Sequence, residues 1–157
     1  MYDTNLDKNE ANYTPLSPLS FLQRTAEVYP NHKSIIHGHR TYTWSETYKR
    51  SCQLASALSS SGIGEKDTVS VLAFNTPEIY EAHFAIPMLG AVINTINIRL
   101  DIETISYILE HAETKALITD TELSPTMKEV IKKINKEILI INICDDQALQ
   151  PDGAGEM

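Results

Sequence analysis

The chain has 157 residues, of which 42% are hydrophobic and 22% are charged, so it is long enough for one folded domain with its own core. Thirteen lysines and arginines stand against 21 aspartates and glutamates, which gives a formal net charge of −8. This acidic balance, without a basic patch, argues against a nucleic-acid-binding protein. The longest apolar run, residues 85–93, contains a proline and a glycine and is far shorter than the roughly 20 residues of a membrane-spanning helix.

The cysteine content and the N-terminal sequence predict a cytoplasmic location. The two cysteines, Cys52 and Cys144, have no zinc-ligand spacing and are expected to be free thiols in a reducing compartment. The first residues are polar and acidic, unlike a secretory signal peptide.

The N-terminal third predicts an irregular arm over residues 1–14, then a helix and a β-hairpin. Ser17 is a candidate helix cap and Pro18 suits the first helical position, while Pro30 ends the run. Two short β-rich segments flank Gly38, which supplies the positive φ of a turn. His37 and His39 lie at this turn, where we expect a solvated hairpin tip because no third metal ligand is close in sequence.

A capping box, Thr43 to Glu46, opens the second predicted helix, and Gly62 ends it. Its predicted apolar stripe consists of Trp44, Tyr48, Cys52, Ala55 and Leu58.

Strands and helices then alternate. Strands are predicted at residues 68–73, 91–95, 115–119 and 137–143, separated by helices that begin near residues 76, 101 and 124. Such alternation predicts right-handed crossovers and an α/β fold, a parallel sheet with helices on both faces. The apolar run at residues 138–141 predicts a strand buried on both sides. Residues 144–157 are acidic and rich in glycine and proline, which predicts a linker after a domain spanning residues 15–143.

The residues alone indicate no complete active site. Gly62-Ile63-Gly64 lacks the third glycine and the strand-to-helix context of a dinucleotide site, and no phosphate-binding P-loop occurs. A receiver domain is disfavoured because the first parallel strand ends at Asn75 without a carboxylate. His83, between apolar neighbours in a predicted helix, is expected to be a structural or interface residue.

Several segments, taken in order, resemble the AMP-forming acyl-CoA synthetases, specifically the medium-chain group. The resemblance rests on stretches spread along nearly the whole chain, at residues 11–22, 37–44, 75–78, 81–84, 87–91 and 94–100. It implies an N-terminal fragment, the first half of the N-terminal domain of such an enzyme.

The resemblance implies that the full-length enzyme activates a carboxylic acid with ATP and Mg²⁺, and that coenzyme A then displaces AMP from the acyl-adenylate. The phosphate-binding loop and the catalytic lysine of that family have no counterpart in this chain. No catalytic, cofactor-binding or metal-binding residue is therefore assigned. Asn97 and Arg99, after the second parallel strand, are the candidate pocket-proximal residues; the alternative is that Arg99 and Asp101 only organise the next helix.

We therefore expect a chain that is inactive alone and that exposes apolar surface through which it self-associates. The alternative is a stand-alone, non-catalytic α/β binding or interaction module with the same fold. A third possibility is another superfamily member, such as an amino-acid adenylation domain or a luciferase-like oxygenase, and the opening residues 12–22 argue against it by resemblance.

Overall fold

The computed structural model describes residues 7–14, 16–134 and 136–145. The predicted linker from residue 146 onward and the first six residues of the predicted arm lie outside the described residues. Within the described part of the chain, no helix is long and apolar enough to cross a membrane.

The N-terminal elements form where their capping residues predict. They are helix α1 (Pro18–Val28), strands β1 (Lys33–His37) and β2 (Arg40–Thr43), and helix α2 (Trp44–Ser60). The Ser17 side chain accepts a hydrogen bond from the backbone N–H of Leu19, and the predicted capping box is present, with Thr43 and Glu46 each bonding the other's backbone N–H. Gly38 takes a φ of 56° between the two antiparallel strands.

The remaining elements form a parallel sheet with helical crossovers. In chain order they are β3 (Thr68–Leu72), α3 (Pro77–Met88), β4 (Val92–Thr95), α4 (Ile102–His111), β5 (Ala116–Asp120), a 3₁₀ turn (Thr121–Leu123), α5 (Ser124–Lys133) and β6 (Leu139–Ile143). The strand order is β4-β3-β5-β6, and each neighbouring pair is parallel. This confirms the predicted α/β fold, with its N-terminal helix and short hairpin.

Two apolar layers hold the helices on opposite faces of the sheet. Val69, Val71 and Ile118 pack with α2 and α3, including Leu58 and Ile86. On the other face, the sheet packs with α4 and α5 in a cluster of Leu72, Leu117, Ile105, Leu109, Met127 and Val130. Because side chains alternate along a strand, consecutive residues of β3 and β5 enter both layers, so these two central strands are buried almost throughout.

Strand β6 was wrongly predicted to be buried on both sides. Leu139 is 37% exposed, and Ile140 and Ile141 are only half-buried. Among the described residues, β6 lies at the edge of the sheet with β5 as its one neighbour, so its apolar sequence is less covered than that of a central strand.

The predicted stripe of α2 was also partly wrong. Trp44, Tyr48 and Cys52 are half-buried, whereas Thr47 and Ser51 are fully buried. The buried face is rotated toward polar residues because Thr47 hydrogen-bonds Ser34 of the hairpin, and the Ser51 hydroxyl donates to the Thr47 carbonyl at 2.9 Å. Hydroxyl groups satisfied in this way are compatible with burial.

Candidate functional site at the carboxyl edge of the sheet

The strand order creates one position in this sheet where successive connections diverge. From β3 the chain crosses to β4 on one side, and from β4 it passes back to β5 on the other side of β3. In open α/β sheets, ligands bind beyond the carboxyl ends of the strands at such a switch point. The candidate site is therefore at the carboxyl edge, where the segments that follow β3, β5 and β6 lie.

Arg40 of the hairpin connects three elements at this edge. Its Nη1 donates to Glu78 Oε1 of α3 at 2.9 Å, and its Nη2 lies 3.5 Å from Asp145 Oδ1, just after β6. His37 Nε2 is 3.3 Å from the other oxygen of Asp145. His37 is half-buried and engaged here, so the expectation of a solvated hairpin tip was wrong for this residue.

Arg50 of α2 makes a second set of contacts beside the first. Its guanidinium hydrogen-bonds both carboxylate oxygens of Glu81, lies 3.6 Å from Glu78, and sits 4.6 Å from the centre of the Tyr42 ring. Burial of Glu81 raises the pKa of its carboxyl group, despite the opposing effect of Arg50. The pair thus holds α2 against α3 at a cost in desolvation.

Asp120, the last residue of β5, brings a further carboxylate to the edge. It is 1% exposed and accepts a hydrogen bond from the backbone N–H of Glu122 at 3.1 Å, which begins the 3₁₀ turn. Burial raises the pKa of Asp120, and the nearby charges of Glu122, Asp145 and Glu78 raise it further. We call Arg40, Arg50, Glu78, Glu81, Asp120 and Asp145 the carboxyl-edge cluster; its four carboxylates outnumber its two guanidinium groups.

The two residues predicted to lie near a pocket, Asn97 and Arg99, make contacts of their own outside the carboxyl-edge cluster. Asn97 and Arg99 are exposed, and Asn97 Oδ1 accepts a hydrogen bond from the Arg99 backbone N–H at 3.0 Å. Asp101 caps α4 by accepting from the Thr104 backbone N–H at 3.0 Å. No described hydrogen bond or ion pair joins Asn97 or Arg99 to the carboxyl-edge cluster, and their proximity to a ligand stays a prediction.

Sequence reasoning missed the carboxyl-edge cluster. Arg40 and Glu78 are 38 positions apart, and Arg50 and Glu81 are 31 apart, so no local spacing links them. The available signal is chemical: Glu81 lies between Tyr80 and Ala82 in an apolar helix, and a carboxylate in that setting requires a cationic partner.

The carboxyl-edge cluster does not fit an ATP site. Arg40 and Arg50 are both engaged by carboxylates, and the surplus negative charge of the cluster opposes a triphosphate. Among the described residues, no group of three or more His, Cys, Asp or Glu side chains is arranged to hold a metal ion. Both guanidinium groups of the carboxyl-edge cluster are therefore occupied by carboxylates and are not offered to a phosphate group.

Comparison with known proteins identifies the family. The model for "AMP-binding enzyme" matches residues 22–155. The chain belongs to this family. It is 48% identical over 148 residues to the peroxisomal butyrate–CoA ligase AAE11 of Arabidopsis thaliana, a match that covers 90% of this chain and 26% of that protein.

Two further relatives act on other acids according to their names. The chain is 50% identical to the acetate–CoA ligase CCL3 of Humulus lupulus, over 85% of this chain and 23% of the relative. It is 55% identical to the peroxisomal trans-cinnamate:CoA ligase of Petunia hybrida, over 74% of this chain and 20% of the relative. The chain thus spans about a quarter of the length of these relatives, and the predicted resemblance to AMP-forming acyl-CoA synthetases is confirmed.

Solved structures confirm the fold. The anthranilate–CoA ligase AuaEII in complex with anthranoyl-AMP superposes with a TM-score of 0.76 at 24% identity, over 80% of this chain and 24% of that one. The N-terminal domain of FACL13 from Mycobacterium tuberculosis gives a TM-score of 0.74 at 23% identity, over 80% of this chain and 33% of that one.

Proposed function

We propose that this chain is part of an ATP-dependent, AMP-forming acyl-CoA ligase that converts a carboxylic acid, ATP and coenzyme A into acyl-CoA, AMP and pyrophosphate. The observation that carries the proposal is the set of named relatives, which are 44–55% identical and include ligases for acetate, butyrate, benzoate and cinnamate. These acids share a carboxyl group and differ in everything attached to it, so the proposed substrate class is carboxylic acids, including fatty acids.

We also propose that the 157-residue chain does not form an adenylate alone. Adenylate formation requires donors and cations that stabilise charge on the transferring phosphates, and the carboxyl-edge cluster presents surplus carboxylates instead. The role of the described residues is architectural: α2, α3 and the hairpin fix the carboxyl ends of β3, β5 and β6. ATP, Mg²⁺ and coenzyme A would be bound by further polypeptide.

The direct assay measures pyrophosphate release by the purified chain with ATP, Mg²⁺ and a panel of acetate, butyrate, benzoate and cinnamate. No release above a protein-free control is expected, whereas a full-length relative supplies the positive control. Pyrophosphate release that depends on both the acid and this chain would contradict the proposal of inactivity.

The coding sequence that follows the Met157 codon tests the family-level activity. A reading frame that continues into a Gly/Ser/Thr-rich loop with Pro-Lys-Gly supports a ligase. A stop codon with no second half nearby favours the alternative, a non-catalytic module. The specific observation behind that alternative is the poor fit of the carboxyl-edge cluster to a nucleotide.

A cytoplasmic location is likewise our proposal, and expression of a tagged chain in its own cells tests it.

A further inference from the structure

Strand β4 pairs on one side only. Among the described residues it lies at the edge of the sheet, with β3 as its one neighbour. The backbone N–H groups of Val92 and Ile96 donate to carbonyl groups in and just before β3, at 2.8 and 2.9 Å. Because the hydrogen-bonding groups of successive strand residues alternate in direction, those of Ile93 and Thr95 point away from β3. They form an open edge on which another strand can pair.

The β4 edge lacks the features that usually prevent strand pairing. Residues 91–98 contain no charged residue, proline or glycine, and β4 pairs with β3 in continuous register, without a bulge. Val92 is 52% exposed, and Thr95 is exposed at the other end of the strand. Exposed edges are commonly blunted by lysine, proline or a bulge. This edge is therefore chemically open to another strand.

We propose that β4 pairs antiparallel with β4 of a second copy of this chain, across a two-fold axis at Asn94. In this register Ile93 lies opposite Thr95 of the second copy, and each such pair exchanges both of its N–H···O=C hydrogen bonds. The sheets of the two copies then become one continuous sheet. The interface is isologous, because the same surface is used by both copies. This inference does not depend on the proposed ligase function.

The charges at the two ends of β4 are complementary in this arrangement. Glu65 and Lys66 lie beside the start of the strand, where the Lys66 backbone N–H donates to the Gly90 carbonyl at 2.9 Å, and their side chains are 76% and 87% exposed. Arg99 and Asp101 follow the end of the strand and are exposed. Antiparallel pairing brings the start of one strand to the end of the other. Glu65 then faces Arg99 of the second copy, Lys66 faces its Asp101, and symmetry makes each pair twice.

This self-complementarity favours a second copy over an unrelated strand. The two acidic and two basic side chains around β4 cancel within one copy, so the paired edges carry no net charge. The chain as a whole carries −8, which opposes the approach of two copies. The strand is only four residues long, so the interface is small, and small interfaces are typical of weak complexes. We therefore expect a reversible dimer whose population rises with protein concentration.

Sedimentation equilibrium of the 157-residue chain over a range of concentrations measures the dissociation constant of the dimer. Val92→Lys places a cation on the open edge and should raise this constant at least about tenfold. Val28→Lys is the matched control, because Val28 is a valine of similar exposure, 56%, on α1. The control should leave the dissociation constant unchanged. Circular dichroism verifies that each variant is folded like the parent chain.

A charge exchange tests the antiparallel arrangement itself. Arg99→Glu sets a carboxylate against Glu65 of the second copy, twice in each dimer, and should raise the dissociation constant about tenfold. Arg24→Glu changes the net charge equally at an exposed position on α1 and should have no such effect. Adding Glu65→Arg to Arg99→Glu should restore the dissociation constant of the parent chain, which a local structural effect of Arg99 would not do.

A chain that stays monomeric at every concentration would overturn the proposal. So would a dimer that Val92→Lys leaves intact, or one that Val28→Lys disrupts, because the contact would then lie away from β4. If Val92→Lys does not fold, the charge exchange decides. A double variant that remains as weak as Arg99→Glu would reject the two-fold pairing of β4 strands.

Discussion

Removing Arg50 tests whether the Arg50–Glu81 pair holds α2 against α3. The Glu81 side chain is 5% exposed and that of Arg50 is 34% exposed. Breaking a buried ion pair by removing one partner costs about 3–5 kcal/mol. Because Arg50 is partly solvated, water screens and partly replaces it in the variant, so we expect Arg50→Met to lower the free energy of unfolding by about 2 kcal/mol.

A double-mutant cycle isolates the pair. Urea unfolding followed by circular dichroism gives the free energy of unfolding for Arg50→Met, Glu81→Met and the double variant. The double variant buries no unpaired charge, so it should be more stable than the sum of the single effects predicts, with a coupling energy of about 1–2 kcal/mol. Additive effects, or an Arg50→Met cost below about 0.5 kcal/mol, would refute the reasoning.

The pH dependence of the same variant has a definite sign. Burial raises the folded-state pKa of Glu81 above 4.5, so the folded state binds this proton more readily than the unfolded state. The stability that this proton contributes is present at low pH and is lost as pH rises through the folded pKa. Removing the cation raises this pKa further. The cost of Arg50→Met should therefore be smaller at about pH 5 than at about pH 7.5.

Three other substitutions test the core, a cap and a buried charge. Leu109→Ala removes a fully buried side chain from the layer beneath α4 and should cost about 3–5 kcal/mol in urea unfolding, against less than about 0.5 kcal/mol for the exposed control Tyr107→Phe. Thr43→Ala removes the N-cap of α2 and should lower the unfolding free energy by about 1 kcal/mol, whereas an unchanged urea midpoint would show that the cap contributes nothing. Asp120→Asn keeps the acceptor for the Glu122 N–H but removes a buried carboxylate whose pKa is raised by burial. The variant should therefore be more stable than the parent chain at neutral pH, and this gain in stability should disappear as the pH falls toward the pKa of the Asp120 carboxyl group. A variant that is less stable than the parent chain at neutral pH would contradict this.

Local physics accounts for the elements that the sequence predicted. The Thr43 capping box, Pro18 after Ser17, and Gly62 with its φ of 85° each act within four residues, so their effect is visible in sequence. Alternation of strands and helices was sufficient to predict a parallel sheet. Helix α5 begins at Ser124 as predicted. The 3₁₀ turn that precedes it, capped by Asp120, was not predicted, and nothing in the Ser124-Pro125 pair signals it.

The interactions that sequence reasoning missed depend on strand order, which local patterns do not specify. Placing β5 beside β3, and β6 beyond it, brings Asp120 and Asp145 near Glu78, and only then does Arg40 have two carboxylates to bridge. The same reason explains the error at β6: an apolar run shows that a strand can be buried, but its exposure depends on its position in the sheet. The choice of Asn97 and Arg99 followed the rule that ligands bind at the carboxyl edge of such a sheet, and it stays a prediction. Arg99 donates its backbone N–H to Asn97 Oδ1, whereas the cap of α4 is made by Asp101.

The chemistry of the carboxyl edge bears on our proposal that this chain does not form an adenylate alone. Topology makes this edge the place where ligands bind in α/β sheets, yet in this chain the two guanidinium groups there are neutralised by carboxylates. Phosphate-binding charge must then come from elsewhere. If a Glu78→Gln variant bound ATP measurably when the parent chain did not, our proposal that the described residues act as a scaffold would be wrong, because removing one carboxylate would then be enough to admit the nucleotide.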